Sequence, residues 1–290
     1  WTFLMVVAGQ IAGIVQSNVL SGASGHGPAQ TTSSNAWLLF MLPYSIIVLS
    51  IGTPYFTRMS EHAHAGRHDE VRADVGRSIR TLGVFIVYAV AALAVAAIPA
   101  SRMVTNSSSD AVAAALVLVA FLASLLPLAV LFVVQRTFYA YDDTRTPFLF
   151  TVVQCVLVIV TALIAQAAVA DAYLAAAVAL GQSVASIVQV IIATWLLRRK
   201  IGDIGVAAWL LSLGRFILAA LPAAGAGWLT FLALGGVGGW AVSEKWFGAL
   251  GAAIIGVVSL VVYAAFLAML RAPELAPAVR LARRLLPGRR

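Results

Sequence analysis

Long apolar runs separated by short polar segments dominate the pattern along this 290-residue chain. A helix needs roughly 20 mostly apolar residues to cross about 30 Å of hydrocarbon. Stretches of this length predict helices at about 1–20, 36–56, 82–104, 111–134, 148–169, 173–197, 213–234 and 247–270. Their apolar positions are continuous rather than alternating, which favours helices over the strands of a barrel. The pattern therefore predicts an all-α polytopic membrane protein with eight transmembrane helices.

The composition leads to the same class of protein. Hydrophobic residues make up 62% of the chain and charged residues 10%, whereas soluble domains have about 45–50% and about 25%. This leaves too little polar surface for a water-soluble globule, so a soluble enzyme and a disordered chain are excluded. A disulfide-stabilised scaffold is excluded as well, because Cys155 is the only cysteine.

The basic residues are distributed unevenly between the two sides of the predicted membrane. Of the 19 Lys and Arg residues, 17 fall in the segments 57–81, 135–147, 198–215 and 271–290, and only Arg102 and Lys245 fall on the other side. Positive residues concentrate in cytoplasmic segments, so these segments and both termini are predicted to be cytoplasmic. The net charge of +8 is then explained by the basic cytoplasmic segments. A nucleic acid partner is not needed to explain it, and no motif in the sequence points to one.

Two basic cytoplasmic segments have apolar residues at helical spacing. One is 69–82, with Val71, Val75, Ile79 and Leu82, and the other is the tail 271–290. Basic amphipathic helices bind anionic membrane lipids, so the pattern predicts such lipids as partners. A solvated connector has the same pattern, and the sequence leaves both interpretations open.

Acidic residues are absent from the predicted apolar cores. All eleven Asp and Glu lie in loops, at helix ends or in the tail, whereas intramembrane carboxylates are the usual relays for protons and cations. This argues against carboxylate-driven antiport, and it also leaves no paired acids for hydrolysis, so neither an enzyme nor a cofactor is predicted. His62, His64 and His68 cluster in the first cytoplasmic loop, where a solvated charged loop is favoured over a metal site.

Neutral polar residues do enter the predicted helices. Gln10, Gln16 and Asn18 lie in the first and Asn35 opens the second, while Gln182, Ser186 and Gln189 form one stripe on the sixth. An amide in hydrocarbon is costly unless it is paired, so these groups either bond to other helices or line a hydrophilic substrate path. The candidate cavity residues are Gln10, Gln16, Asn18 and Asn35.

The connection between the fourth and fifth helices is the most distinctive local feature. Asp143 and Thr144 offer turn and cap acceptors, and Pro147 fits the first turn of the next helix, where its missing N–H costs nothing. Arg136 and Arg145 are predicted to flank the turn at the headgroup level. The candidate gate or structural-turn residues are Arg136, Phe138, Tyr139, Asp143, Thr144, Arg145, Thr146 and Pro147.

The motif Arg-x-Phe-Tyr-Ala-x-x-Asp-Thr-Arg-Thr-Pro in this connection resembles the signature between helices 10 and 11 of the MurJ/MviN family of lipid II flippases. This family belongs to the multidrug/oligosaccharidyl-lipid/polysaccharide exporter superfamily. The segment 35–43 resembles the family's eighth helix, and the segment 66–70 resembles the loop that follows it. The eight spans are similar to helices 7–14 of that fourteen-helix fold.

The resemblance implies a domain organisation and a function. Residues 1–197 would be the six-helix second lobe, 198–270 two additional C-terminal helices and 271–290 a cytoplasmic tail, with the first six-helix lobe absent from this chain. The implied function is to flip polyprenyl-linked peptidoglycan precursor (lipid II) across the bacterial plasma membrane by alternating access. A cationic cavity would take the diphosphate-sugar head, and a groove involving the last two helices would take the polyprenyl tail.

The chain also departs from the family's pattern. Leu38 stands where many relatives have a cavity arginine, and the sodium ligands of some relatives are not evident. An alternative is a drug or cation exporter similar to the MATE transporters, or an exporter of another polysaccharide-linked lipid, although the former needs a coupling acid in the membrane. Some relatives carry a cytoplasmic kinase-like domain after the last helix, and the basic tail would suit a tether to such a domain.

Overall fold

A computed structural model describes residues 1–22 and 30–270 of the chain, nearly all of them helical. Its α-helices are α1 (Thr2–Gly22), α2 (Gln30–Pro43), α3 (Ser50–His64), α4 (His68–Val95), α5 (Ala97–Arg102), α6 (Ser108–Leu122), α7 (Leu125–Ala140), α8 (Arg145–Ala168), α9 (Asp171–Ile201), α10 (Val206–Ala233), α11 (Trp240–Ser243) and α12 (Lys245–Met269). A π-helical segment, Tyr44–Leu49, joins α2 to α3, and a 3₁₀ turn, Gly236–Gly238, precedes α11.

The predicted number of spans is confirmed within the described residues, where eight helical stretches are long and apolar enough to cross a membrane. Six are single helices, and two are composite. The second span runs through α2, the π-helical segment and α3, and the fourth runs through α6 and α7. The all-α membrane fold class predicted from the sequence is therefore correct.

The ends of the second span differ from the prediction. The helix already begins at Gln30, because the polar run 30–35 continues the helix instead of forming a loop. Pro43 lies at the point where the α-helix gives way to π-helix. Proline has no N–H to donate and its ring clashes with the preceding turn, which explains why the regular hydrogen-bond ladder changes here.

The amphipathic segment 69–82 is not an interfacial helix. It forms the first half of α4, a single helix of 28 residues, and its apolar stripe of Val71, Val75, Ile79 and Leu82 is at most 1% exposed. Neighbouring helices α3, α7 and α10 cover α4. The interfacial interpretation is wrong for this segment, because other helices cover its apolar face. Amphipathic spacing predicts that one face of a helix is buried, but it does not distinguish burial in lipid from burial against protein. The corresponding tail segment lies outside the described residues.

The helices pack unevenly around α4 and α7. Helix α7 lies against α3, α4 and α9, and α10 and α12 pack on α4 and on each other, whereas α1 contacts mainly α8. Close approaches occur at glycines. A Cβ atom at Gly227 would lie 2.5 Å from Ser259 Oγ, and one at Gly248 would lie 2.6 Å from the carbonyl oxygen of Pro99. These positions require a residue without a side chain.

Arg102 stabilises the end of the bundle opposite to the basic loops. Its side chain is 8% exposed, and its guanidinium donates hydrogen bonds to the carbonyl oxygens of Thr105, Val242 and Ser243. One of the two basic residues on the predicted outer side therefore has a structural role, joining α5 to the segment before α12.

Candidate substrate cavity and signature turn

A polar pocket of about 500 Å³ opens between α1, α2, α6 and α9. Its polar lining residues are Gln16, Ser17, Gln30, Ser33, Ser34 and Gln182, and its apolar lining residues include Leu20, Trp37, Leu38 and Phe121. Buried polar groups normally have a partner, yet Gln30 Oε1 is buried without one among the described residues. The pocket therefore presents hydrogen-bonding groups that the helices do not fully use.

The amide stripe on α9 bonds to two other helices. Gln16 Nε2 donates to Gln182 Oε1 at 3.1 Å, and Gln189 Nε2 donates to Thr151 Oγ1 at 3.5 Å. Ser186 donates to the backbone of its own helix at Gln182. The interhelical hydrogen bond is confirmed for Gln16 and Gln182, and the same pair lines the polar pocket. A role in a substrate path stays a prediction.

The other three candidate cavity residues do not line this pocket. Gln10 is exposed on α1, on the same helical face as Gly13, which does line it. Asn18 is exposed on a different face, and Asn35 is half-buried next to the lining residue Ser34. Of the four, the structure thus brings only Gln16 into the pocket, together with Ser17, Gln30 and Ser33. Gln30 and Ser33 lie in a segment with the composition of a loop, and Ser17 is a small hydroxyl residue within an apolar helix, so the sequence pattern selects none of the three.

No charged side chain lines the polar pocket within the described part of the chain. Leu38, predicted to stand where many relatives have a cavity arginine, is 60% exposed and lines this pocket. A positive charge at this position would point at whatever fills the pocket. In this chain the pocket offers hydroxyl and amide groups instead.

The signature turn between α7 and α8 is organised by Asp143. Its Oδ1 accepts a hydrogen bond from the backbone N–H of Thr146 at 3.0 Å, and its Oδ2 accepts one from the Thr146 hydroxyl at 2.9 Å. Asp143 therefore satisfies the first turn of α8, as predicted, whereas the Thr144 side chain makes no cap hydrogen bond. Pro147 lies in the first turn of α8, also as predicted.

A third partner of Asp143 comes from the end of α9. Lys200 Nζ donates to Asp143 Oδ2 at 2.6 Å, and the same ammonium lies over the rings of Phe138 and Tyr141. Burial would raise the pKa of the Asp143 carboxyl, but the hydrogen bonds from Lys200 and Thr146 outweigh it and hold the pKa below its ordinary value. The carboxylate therefore stays ionised and joins the turn to α9.

The start of α4 also contacts this turn. Tyr141 OH lies 2.8 Å from Nδ1 of His68, with the two rings stacked, and Arg72 Nη1 donates to the carbonyl oxygen of Ile201 at 2.8 Å. Burial raises the pKa of Tyr141, with an opposing effect of Arg72. Helices α4 and α9, both distant in sequence, therefore contact the signature turn through polar side chains.

The two signature arginines point to different neighbours. The Arg136 guanidinium lies 5.2 Å from the Phe56 ring and 5.1 Å from the Phe132 ring, between α3 and α7. Arg145, the first residue of α8, lies over the Trp1 ring of the chain start at 5.6 Å. Arg136 therefore does not flank the turn as predicted, because it lies inside α7 and is half-buried.

The aromatic signature residues have packing roles. Phe138 is 1% exposed and contacts Phe150 on α8, and the Tyr139 hydroxyl accepts a hydrogen bond from Gln135 Nε2 at 2.7 Å.

A buried carboxylate lies at the interface of α3 and α4. The Asp74 side chain is only 2% exposed, and its oxygens lie 3.2 Å from Arg58, 3.1 Å from Arg77 and 3.1 Å from His62 Nδ1. The other ring nitrogen of His62 lies 3.0 Å from Glu70. Of the three histidines, His62 thus belongs to an ion-pair cluster, and no group of His, Cys, Asp and Glu in the described ranges could hold a metal ion.

An apolar groove of about 260 Å³ lies between α2, α4, α5 and α12. Its walls include Leu42, Leu93, Met103 and Ala252, and Gly256 adds a surface without a side chain. The Tyr88 hydroxyl donates to the Gly256 carbonyl oxygen at 2.9 Å at this position. The walls of this groove are therefore mostly apolar, as a site for a hydrocarbon chain requires.

These features define a polytopic helical membrane protein with a polar pocket in an apolar bundle, the construction expected of a transporter lobe. A family model described as lipid II flippase MurJ matches residues 1–246, and the chain belongs to this family. A solved structure titled "Lipid II flippase MurJ, inward closed conformation" has a similar fold, with a TM-score of 0.69 and 19% sequence identity. The match covers 93% of this chain and 53% of the other, so the chain spans about half the length of that structure.

Proposed function

We propose that the chain is the C-terminal part of a flippase that moves lipid II, a polyprenyl-linked peptidoglycan precursor, from the cytoplasmic to the outer leaflet by alternating access. The family match over residues 1–246 carries this proposal. The polar pocket supports it, because a sugar-peptide head group needs hydrogen-bonding partners while it crosses the hydrocarbon. Residues 1–197 then act as one lobe, and α10 and α12 form an additional outer layer.

The proposed orientation follows from charge. The signature turn, the α3–α4 connection and the end of α9 contain the basic residues, and these ends are assigned to the cytoplasm. Both termini of the chain then lie on the cytoplasmic side of the plasma membrane. The basic tail would contact anionic lipids there and would link to a kinase-like regulatory domain wherever one follows.

Arg136 is the best candidate for a gate residue. Its guanidinium rests on two phenylalanine rings, and no carboxylate of the described residues pairs with it. A half-buried cation without a counter-ion is costly, so an anionic group from outside the described residues would complete the site. The missing lobe or the substrate diphosphate would supply that group. Asp143 and Lys200 then keep the neighbouring turn in place.

The polar pocket and the α12 groove divide the substrate between them in this proposal. Gln16 and Gln182 contact the head group, with Gln10, Asn18 and Asn35 on the adjoining surfaces, and the groove beside Ala252 holds part of the polyprenyl tail. Since Leu38 supplies no charge, the diphosphate is neutralised mainly by residues of the other lobe.

The experiment that tests the proposal is complementation. The full-length protein containing this chain is expressed in bacteria depleted of their own lipid II flippase, and lipid II on the inner leaflet is quantified. We expect growth to be restored and lipid II to fall to the level of undepleted cells. Continued accumulation of lipid II at normal expression of the protein would contradict the proposal.

A further inference from the structure

A second apolar groove lies on the other side of the bundle, between α7, α9 and α10. Its volume is about 390 Å³, and it is distinct from the polar pocket and from the groove beside α12. Aliphatic side chains form most of its walls, among them Leu126, Val130, Ile191, Leu210 and Leu213. Helix α10 packs mainly on α4 and α12, so the crevice towards α9 remains open to the surrounding bilayer.

One wall of this groove contains a buried donor without an acceptor. Trp209 is 5% exposed, and its indole Nε1 has no hydrogen-bond partner among the described residues. A buried N–H without a partner destabilises the folded protein, and Trp209 lines the groove. An occupant with an oxygen acceptor next to its hydrocarbon chain would satisfy this donor.

Basic residues lie at the same end of the groove. Arg198 lines it directly, and Arg199 and Lys200 follow at the end of α9. Asp203 approaches Arg198 only to 3.8 Å, with both side chains more than half exposed, so this contact leaves the charge largely available. Lys200 is occupied by Asp143, and Arg199 stacks on Trp195 at 3.8 Å. The mouth of the groove is therefore cationic.

An apolar slot, a single N–H donor and a cationic mouth together match the chemistry of a phospholipid. A free phosphate would leave the apolar walls empty, and a plain hydrocarbon would leave Trp209 and Arg198 unpaired. An acyl chain, an ester carbonyl and a phosphodiester follow one another in a glycerophospholipid in the required order. A cationic mouth favours anionic over zwitterionic head groups.

We propose that this groove binds an anionic glycerophospholipid, with one acyl chain between α9 and α10, an ester carbonyl at Trp209 Nε1 and the phosphate at Arg198. The lipid fills the crevice and so connects α10 to α9. The assignment of this lipid to the cytoplasmic leaflet rests on the orientation proposed above, and the other parts of the proposal do not. The lipid is a resident of the fold rather than the transported molecule.

Native mass spectrometry of the full-length, delipidated protein tests this site. The protein is mixed with dioleoyl phosphatidylglycerol or, separately, with dioleoyl phosphatidylcholine, and the lipid-bound fraction is measured. We expect phosphatidylglycerol to bind preferentially, and Trp209→Phe and Arg198→Gln each to reduce its binding about fivefold, as expected for a loss of about 1 kcal/mol. Arg198→Lys should restore most of the binding, because a phosphate accepts from either cation.

Two control substitutions lie on α10, outside the groove. Trp228→Phe and Arg215→Gln make the same chemical changes at exposed positions of α10 and should bind phosphatidylglycerol like the wild type. Leu210→Trp, a substitution of a half-exposed wall residue that fills the groove, should abolish binding without unfolding the protein.

Equal binding of the two lipids, or Trp209 and Arg198 variants that bind like the controls, would overturn the proposal. The assay reads binding alone, so its failure is distinguishable from a failure to flip lipid II.

Discussion

Lys200 Nζ lies 2.6 Å from Asp143 Oδ2, and this contact connects the end of α9 to the turn between α7 and α8 across 57 positions of sequence. The same carboxylate accepts both hydrogen bonds from Thr146. One side chain therefore caps a helix and joins two helices. The turn that carries the predicted family signature is thus connected to α8 and α9 through one carboxylate.

Replacing Asp143 with Asn should destabilise the protein by about 1–2 kcal/mol, through the loss of the Lys200 pair and a weaker cap. The depressed pKa of Asp143 means that its stabilising effect is present above the pKa of the unfolded chain and is lost as the pH falls through the lower folded pKa. In thermal unfolding, the difference between wild type and variant should thus be constant at neutral pH and shrink below about pH 4.

Asp142→Asn is the matched control for this measurement. It removes the same charge from the neighbouring residue, which is exposed and has a φ of 54°, a conformation that Asn tolerates well. Its melting temperature should stay close to that of the wild type. An Asp142 variant as unstable as the Asp143 variant would show that net charge, rather than the Lys200 contact, stabilises the turn.

The signature turn also shows how far the sequence could predict a site. The cap at Asp143 and the helix start before Pro147 depend on neighbours within three residues, and both could be derived from local chemistry. The contacts with Lys200 and His68 could not, because they arise only when α4 and α9 are placed beside the turn. The sequence shows that charged residues occur in these connections, but it does not show which residue of another connection each of them contacts.

Replacing Arg136 with Ala should lower lipid II translocation strongly while leaving the amount of protein in the membrane within about twofold of the wild type. The guanidinium is held by stacking on Phe56 and Phe132, which is worth about 1–2 kcal/mol, and in the proposed gate role its charge pairs with an anion from outside the described residues. Complementation of flippase-depleted cells measures this effect, with immunoblotting for expression.

Arg199→Ala is the control for Arg136. Arg199 also stacks on an aromatic ring, that of Trp195, but on an exposed surface of α9. Its variant should complement normally. Normal growth of the Arg136 variant at normal expression would mean that the arginine has a packing role alone.

Introducing a cation at position 38 should strengthen the binding of a polyprenyl diphosphate to the full-length protein. Leu38 lines an otherwise uncharged pocket, and an added charge about 8 Å from a diphosphate gains about 1–2 kcal/mol at an effective dielectric constant near 20. Leu38→Arg should therefore lower the dissociation constant about tenfold at low salt, as measured by ligand binding in detergent.

The neutral variant Leu38→Gln separates charge from polarity at this position. It should bind the diphosphate like the wild type, and high salt should remove most of the advantage of the arginine. A glutamine that strengthens binding as much as arginine would show that this pocket does not contact the diphosphate.

Gly248 should not tolerate a methyl group. A Cβ atom there would lie 2.6 Å from the Pro99 carbonyl oxygen and 3.1 Å from Arg102 Cβ, so α12 would have to move away from α5. We expect Gly248→Ala to cost about 1–3 kcal/mol, which thermal unfolding in detergent would show as a lower melting temperature. At Gly225 an added Cβ atom would have no neighbour within 4 Å, so Gly225→Ala should leave the melting temperature unchanged or raise it slightly.

The polar pocket and α4 show two features that the sequence pattern could not predict, each for a physical reason. Gln16 and Gln182 could be selected because amides in apolar helices need partners, but the run Gln30–Asn35 has the composition of a loop. In the structure that run extends α2, and tertiary packing outweighs local propensity. The apolar stripe of α4 was likewise visible, whereas the partner that covers it was not.

The rate of lipid II translocation by the full-length protein in liposomes tests the central claim most directly. Accessibility of lipid II to an added enzyme that cleaves its head group reports the rate. The wild type should exceed empty liposomes, Gln182→Asn should retain most of the rate, and Gln182→Glu should lose about tenfold because a negative charge in the pocket repels the diphosphate. A wild type no faster than empty liposomes, or a Glu variant as fast as the Asn variant, would contradict the account.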